Sequence, residues 1–230
     1  MKTYWIVGSG SDAGWQHGLP PSITAAEWPR HARSGLPLVH GFTIRVPAEY
    51  RARGADRVAL SYFHPGDTES YPPAAAEAAR VQAIFGGAGL TDAEAAQPFF
   101  RALAEHASAR KDRTQLFTDL LQHTHAIVWL TEDELAAPRC ARPSSLPEGS
   151  LGKAMALDQP VRDAEPLGFS ASEPERGTLI QLGGPLHWIQ SEIEEFGDVV
   201  MEIEDGVGNA NYGTGNCQID LAQSLLDWAC

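Results

Sequence analysis

The side chains with the most chemical capacity in this chain fall into a few short stretches. His123 and His125 stand two residues apart. On a strand, that spacing puts both imidazoles on one face, which suits a metal pair. No third ligand stands at useful spacing, and His123 can instead end a preceding helix, where a partly charged imidazole is favourable. Gly8-Ser9-Gly10-Ser11-Asp12-Ala13-Gly14 follows an apolar run, as phosphate-binding loops do. It lacks the Gly-Lys-Ser/Thr of a P-loop, and His17-Gly18-Leu19-Pro20-Pro21 cannot supply the helix that should follow. Asp205-Gly206-Val207-Gly208-Asn209-Ala210-Asn211 has the oxygens of a calcium loop, but its order departs from that of an EF-hand and the twelfth position is Asn216. Its Gly and Asn residues suit a structural turn. No GxSxG, HExxH or CxxC occurs, and Cys140, Cys217 and Cys230 have no activating neighbour in sequence. The expectation is a chain with no catalytic residues, no cofactor and no metal. A nucleophile assembled only in space stays open; a hydrolase or metal-dependent enzyme would place its pocket near His123, His125 or His187. A scaffold or small-ligand binder would show an apolar pocket instead.

The stronger chemical signal is charge. The chain has 230 residues, 30 acidic and 17 basic, for a net charge of −13. Residues 158–230 hold 14 of the acidic residues and only two basic ones, Arg162 and Arg176. Such a surface repels nucleic acid and anionic membranes, and it attracts basic proteins and speeds their association. Ser191-Glu192-Ile193-Glu194 reads as a capping box that starts a helix, with Glu192, Glu194 and Glu195 in its first turn. Glu202, Glu204 and Asp205 fall on a strand face and its turn. If the two elements adjoin, these six carboxylates form one partner-binding surface beside Trp188, Phe196 and Tyr212.

The elements that must position these residues read as α+β: β-rich mixed sheets with several short helices and long loops. Tyr4 to Val7, Leu38 to Val46, Arg57 to Phe63, Ala126 to Leu130, Thr178 to Leu182 and Val199 to Ile203 read as strands. Ala74 to Phe85 reads as a helix broken by Gly86-Gly87, and Phe99, Leu103 and His106 mark one face of another. Thr24/Glu27, Thr91/Glu94 and Thr131/Glu134 are capping boxes. Arg113 to His123 reads as helical through Leu116, Leu120 and Leu121, and Ile219 to Trp228 as strand running into helix. Residues 64–76 read as loop. Residues 138–177, with six prolines, read as a long loop or connection. The chain is then one unit over 1–230, or two subdomains, 1–137 and 178–230, joined by that connection.

There is no apolar run of 18 residues, and the apolar stretch near the N-terminus is too short for a signal peptide. Three cysteines at irregular spacing give no disulfide framework. A cytoplasmic setting is expected.

Two segments carry a resemblance. The first is residues 18–63, with Trp28-Pro29-Arg30, Gly35-Leu36-Pro37-Leu38 and a strand leading to Ser61-Tyr62-Phe63. The second is Gly183 to Gln190, GGPLHWIQ, followed by VVMEIED and NYGTGNCQIDL. Together they resemble YwqG-like bacterial proteins of unassigned function, over about half of the chain. The final loop departs from that pattern, and residues 64–177 do not align. The resemblance implies a β-rich α+β fold and a cytoplasmic bacterial protein, and it transfers no catalytic residue. Some relatives of this kind look like immunity proteins encoded beside type VI secreted toxins. Nuclease toxins are basic because they bind phosphate, so an inhibitor gains by being acidic. The expected function is therefore a protein that binds and neutralises a basic secreted effector, a nuclease domain in particular.

Overall fold

The computed structural model describes residues 1–66, 73–109, 111–148, 161–174 and 178–230. The strands are β1 (Tyr4–Val7), β2 (Gly14–Gln16), β3 (Val39–Arg45), β4 (Ala59–His64), β5 (Thr114–Thr118), β6 (Thr124–Leu130), β7 (Glu165–Ser170), β8 (Thr178–Leu182), β9 (Val200–Glu204), β10 (Asn216–Asp220) and β11 (Leu225–Ala229). The helices are α1 (Ala75–Phe85), α2 (Asp92–Ala96), α3 (Pro98–Ser108) and α4 (Glu132–Ala136).

The chain is β-rich. All eleven strands join one sheet in the order β11-β10-β9-β8-β1-β7-β2-β3-β4-β6-β5. Every neighbouring pair is antiparallel, so the sheet is not mixed. The sheet curls until its outer strands, β5 and β11, meet. Gln115 Nε2 donates to the Leu221 carbonyl and to Ser224 Oγ, both at 2.9 Å. Trp228 Nε1 donates to Asp119 Oδ2 at 2.9 Å. Side chains rather than a backbone ladder bring the two edges together, and the result is a nearly closed barrel with little exposed edge.

Inward-facing residues of successive strands fill this barrel: Phe42 and Ile44, Leu60 and Tyr62, Ile127 and Trp129, Met201 and Ile203, Cys217 and Ile219. The alternation expected over Phe42, Ile44 and Val46 is the inward face of β3. Strands β4 and β6 are buried at every residue because helices and loops cover their outer side. Ile23, Trp28, Phe63, Val128 and Leu130 form a second cluster there, and Leu36, Val81, Ile84, Phe99 and Leu103 pack α1 and α3 into a third. The expected face of α3, with Phe99, Leu103 and His106, is its buried face.

Several expectations are corrected. Residues 114–118 are a strand. Gln115 and Phe117 point in while Leu116 and Thr118 point out, and pairing with β6 overrides the leucine spacing. Leu116, Leu120 and Leu121 are exposed, not a buried helical face. The last segment is a hairpin, β10 to β11, with Ser224 at φ 61° in its turn. The Pro-rich segment contains β7, which pairs with β1 through Gly168–Ser170 and with β2 through Glu165–Leu167. Thr24 and Glu27 make their capping bonds, but Pro29 holds that segment to a turn. Residues 67–72 of the expected loop at 64–76, and residues 149–160 and 175–177 of the Pro-rich segment, lie outside the described residues.

The loop between β9 and β10 is seated on β3 at a single close approach. Gly208, at φ +61°, lies so near Gly41 that a Cβ would fall 2.4 Å from the Gly41 Cα. Both the left-handed backbone and the missing space require glycine. Gly208→Ala is expected to cost about 2–4 kcal/mol of unfolding free energy, read from the urea midpoint; an unchanged midpoint contradicts the close approach.

Candidate functional site

Two regions gather the groups with chemical capacity. The first is a cavity of about 280 Å³ at the end of the barrel where β5 and β11 meet. Its wall comes from His64 at the end of β4, from Asp119 to His125 at the turn between β5 and β6, from Asn209 to Gly213, and from Trp228 and Cys230. Elements far apart in sequence converge here only because the sheet curls.

Asp119 is the centre of this region and is 4% exposed. Its Oδ1 accepts from the backbone N–H groups of Leu121 (2.9 Å) and His123 (2.8 Å). Its Oδ2 accepts from Trp228 Nε1, from His123 Nδ1 at 3.2 Å and from His125 Nε2 at 3.4 Å. Burial works against ionisation of Asp119, but the bonds from His125, His123 N–H and Trp228 outweigh it and hold the carboxyl well below its usual range. A carboxylate only accepts, so His125 Nε2 must carry a proton. Burial lowers the pKa of His125 and the neighbouring carboxylate only partly offsets this. The ring is therefore neutral, and its Nδ1 accepts from Tyr62 Oη at 2.8 Å. Tyr62 Oη in turn accepts from Tyr212 Oη at 2.7 Å. A directed chain of hydrogen bonds thus runs from Tyr212 through Tyr62 and His125 to Asp119. Burial pushes both tyrosines well above their ordinary pKa, so neither ionises.

His64 is equally committed. Its Nδ1 accepts from Gly66 N at 3.1 Å, and its Nε2 donates to the Gly208 carbonyl at 3.1 Å. The spacing of His123 and His125 does bring both rings to one place, but the group they share is Asp119. Among the described residues, no set of three or more His, Cys, Asp or Glu is arranged to hold a metal ion. His187 lies elsewhere, against Glu202. Sequence spacing could pair His123 with His125, but it had no signal for Asp119, Tyr62 or Tyr212, which arrive through the barrel.

The second region is the loop from Gly183 to Val199. Its anchors are buried polar groups on the outer face of β8, β9 and β10, where Gln181, Glu202 and Gln218 stand side by side. Gln181 Nε2 donates to the carbonyls of Gly183 and Pro185 at 2.7 and 2.9 Å. Glu202 accepts from His187 N and Nδ1 at 2.7 and 2.8 Å. Gln218 and Asn216 both donate to the His187 carbonyl. At the far end of the loop, Gly197 N donates to the buried Asp220 at 2.7 Å. Between the anchors lies a groove of about 390 Å³ lined by Trp188, Glu192, Glu194, Phe196 and Asp198 among others. Trp188 and Phe196 meet edge to face at 5.5 Å.

The six expected partner-binding carboxylates divide accordingly. Glu192, Glu194 and Glu195 are exposed on the loop, with Glu194 and Glu195 in a turn, and the expected helix is not formed. Glu202 is 5% exposed and spent on anchoring, so it is not a surface group. Glu204 is exposed and Asp205 half-buried at the far end of β9, where Asp205 accepts from Tyr212 N. Four residues of strand, about 13 Å, separate Glu204 from the start of β9. The six are therefore not one continuous surface.

The Trp28-Pro29-Arg30 motif is internal. Trp28 Nε1 donates to the Leu38 carbonyl at 2.9 Å, and Arg30 is 3% exposed, with Nη1 donating to the Gly35 carbonyl. The loop over 8–14 packs against β7, with Asp12 accepting from Phe169 N. No helix among the described residues is long and apolar enough to cross a membrane. Comparison of the chain with protein families, with characterised proteins and with solved structures returns no match.

The buried histidines make a pH prediction. Burial lowers His40 and His64 to about 3 and His31 and His106 to about 4, below the ordinary 6.5. The unfolded chain therefore binds more protons than the folded one at acid pH, and each unit of depression is worth about 1.4 kcal/mol. This contribution is complete above pH 6.5 and is lost as pH falls toward 3–4. In NMR titration, the His40 and His64 ring signals are expected to stay at neutral-imidazole shifts down to about pH 4, with stability falling over the same range. Ring titration near pH 6.5 contradicts this.

Proposed function

We propose that this chain is a cytoplasmic binding protein that holds a basic protein partner on the loop spanning residues 188–198, and that the partner is a secreted nuclease toxin it neutralises. The observation that carries the reading is the state of the carboxylates. Over residues 1–137, several acidic groups are matched by arginines. Arg45 pairs with Glu132 at 2.6 Å, Arg80 with Glu94 at 2.5 Å, and Arg113 with Glu27 and Glu134. Among the described residues, no cation pairs with Glu192, Glu194, Glu195 or Glu204, and all four are exposed. No Lys or Arg occurs after Arg176. Unmatched like charges on a folded body raise the local field and steer a basic partner.

The anchoring of the loop adds to this. Buried polar groups fix it at Gly183 to His187 and again at Gly197. A loop already held in place loses little conformational entropy on binding, which favours affinity. The half-buried rings of Trp188 and Phe196 supply an apolar patch ringed by Glu192, Glu194 and Asp198, the composition of an interface centre with a charged rim. The YwqG-like resemblance of the Gly183–Gln190 segment falls on this same loop and points to the same role.

The partner is sought in the product of the gene neighbouring this one in its host. The triple substitution Glu192→Lys, Glu194→Lys, Glu195→Lys is expected to slow association by on the order of tenfold or more, with no change in the urea midpoint. Glu204→Lys alone is expected to have a small effect. Raising salt from about 50 to about 300 mM should mimic the triple variant. Association with no dependence on salt or on the triple substitution contradicts the reading.

A further inference from the structure

The barrel-end cavity lies apart from the acidic loop, and the chemistry of its wall restricts what it can take. Its groups are spent or uncharged in a definite pattern. Among the described residues, Asp119 is the only Asp or Glu in the wall, and it already accepts five hydrogen bonds, from Leu121 N, His123 N, His123 Nδ1, His125 Nε2 and Trp228 Nε1. Both ring nitrogens of His64 and of His125 are bonded within the protein. No Lys or Arg among the described residues lines the cavity. An anion therefore meets no cation among these groups, and a small cation meets a carboxylate whose lone pairs are taken.

What the wall offers is rings and amides. Tyr212 and Trp228 stand 6.3 Å apart between centroids, and the His64 and His123 rings complete an aromatic lining. Asn209 and Asn211, both exposed at the rim, each pair a donor with an acceptor on one planar group. Asn211 Oδ1 accepts from Gly213 N at 3.0 Å, which fixes the amide and turns its NH2 to other partners. The walls are rigid, since Asp119 ties the β5–β6 turn to β11 and Gly208 seats the 206–213 loop on β3. A preformed cavity of about 280 Å³ holds a molecule of roughly ten to twenty heavy atoms.

We infer that this cavity is a binding site for an uncharged ring compound with adjacent hydrogen-bond donors and acceptors, stacked on the aromatic wall and gripped at its edge by the Asn209 and Asn211 amides. A nucleobase or nucleoside and a monosaccharide share that chemistry. The site is separate from the acidic loop, and its occupancy is independent of any protein partner.

Cys230 reports on occupancy, because it is exposed and forms part of the wall, whereas the partly exposed Cys140 is not part of it and Cys217 is buried. Alkylation of the whole chain by iodoacetamide is followed by mass spectrometry with adenosine, uridine or methyl glucoside, and with phosphate and choline as charged controls. At least one uncharged probe is expected to slow labelling of Cys230 several-fold and saturably, with Cys140 unaffected. A nucleoside effect assigns a base-type ligand and a glycoside effect a sugar. Asn211→Asp keeps the oxygen that accepts from Gly213 N and removes the amide donors, so it should weaken protection roughly tenfold without unfolding the chain. The proposal is overturned if no uncharged probe protects Cys230, if phosphate or choline protects it better, or if Asn211→Asp is protected as well as the parent chain.

Discussion

The carboxylate of Asp119 is the interaction on which most of this structure turns. An antiparallel sheet of eleven strands has two edges, and here they are joined by side chains. Asp119 sits in the turn after one edge strand and accepts from Trp228 on the other. The same carboxylate fixes the turn through Leu121 and His123 and sets the tautomer of His125, which then orders Tyr62 and Tyr212 in the core. Burying a charge is costly unless it is fully hydrogen-bonded. Five donors meet that condition, and the carboxylate that ties the barrel's edges is also the one in the wall of the end cavity. Gln115, reaching Leu221 and Ser224, makes the second tie between the edges.

A second constraint acts on the outside of the barrel. The outward-facing side chains of β8, β9 and β10 are Gln181, Glu202 and Gln218, polar groups that a covering loop must satisfy if they are buried. The Gly183–Val199 loop does so with its backbone and with His187. The consequence is a division of labour among glutamates that look alike in sequence. Glu202 is structural, while Glu192, Glu194 and Glu195 project from the loop that Glu202 holds. The charge imbalance of the last third is thus partly internal architecture and partly an exposed field, and only the second part can meet a partner.

Much of the fold was legible where local pattern and tertiary context agree. The inward alternation of Phe42 and Ile44, the capping boxes at Thr91 and Thr131, and the Gly86-Gly87 end of α1 each follow from local chemistry. Residues 114–118 misled because Leu116, Leu120 and Leu121 have helical spacing, yet β6 offers a strand partner to Gln115 and Phe117 that a single segment cannot reveal. β7 was hidden among prolines, yet Pro166, which lacks an N–H, is laddered on one side only, opposite Trp15 of β2. The candidate cavity was legible only in the His123/His125 pair. Asp119, Tyr62 and Tyr212 are remote from one another in sequence, and barrel closure alone brings them together.

The claim that one carboxylate both closes the barrel and builds its end site is tested most directly by a double-mutant cycle. Asp119→Asn and Trp228→Phe are measured singly and together by urea unfolding. If the Asp119–Trp228 bond joins the sheet edges, the two substitutions couple by about 1 kcal/mol or more. The hydrogen exchange of β5 and β11 backbone amides then rises in step in either variant. Additive effects, within about 0.3 kcal/mol, with exchange raised in only one of the two strands, would show that the edges are held independently of Asp119.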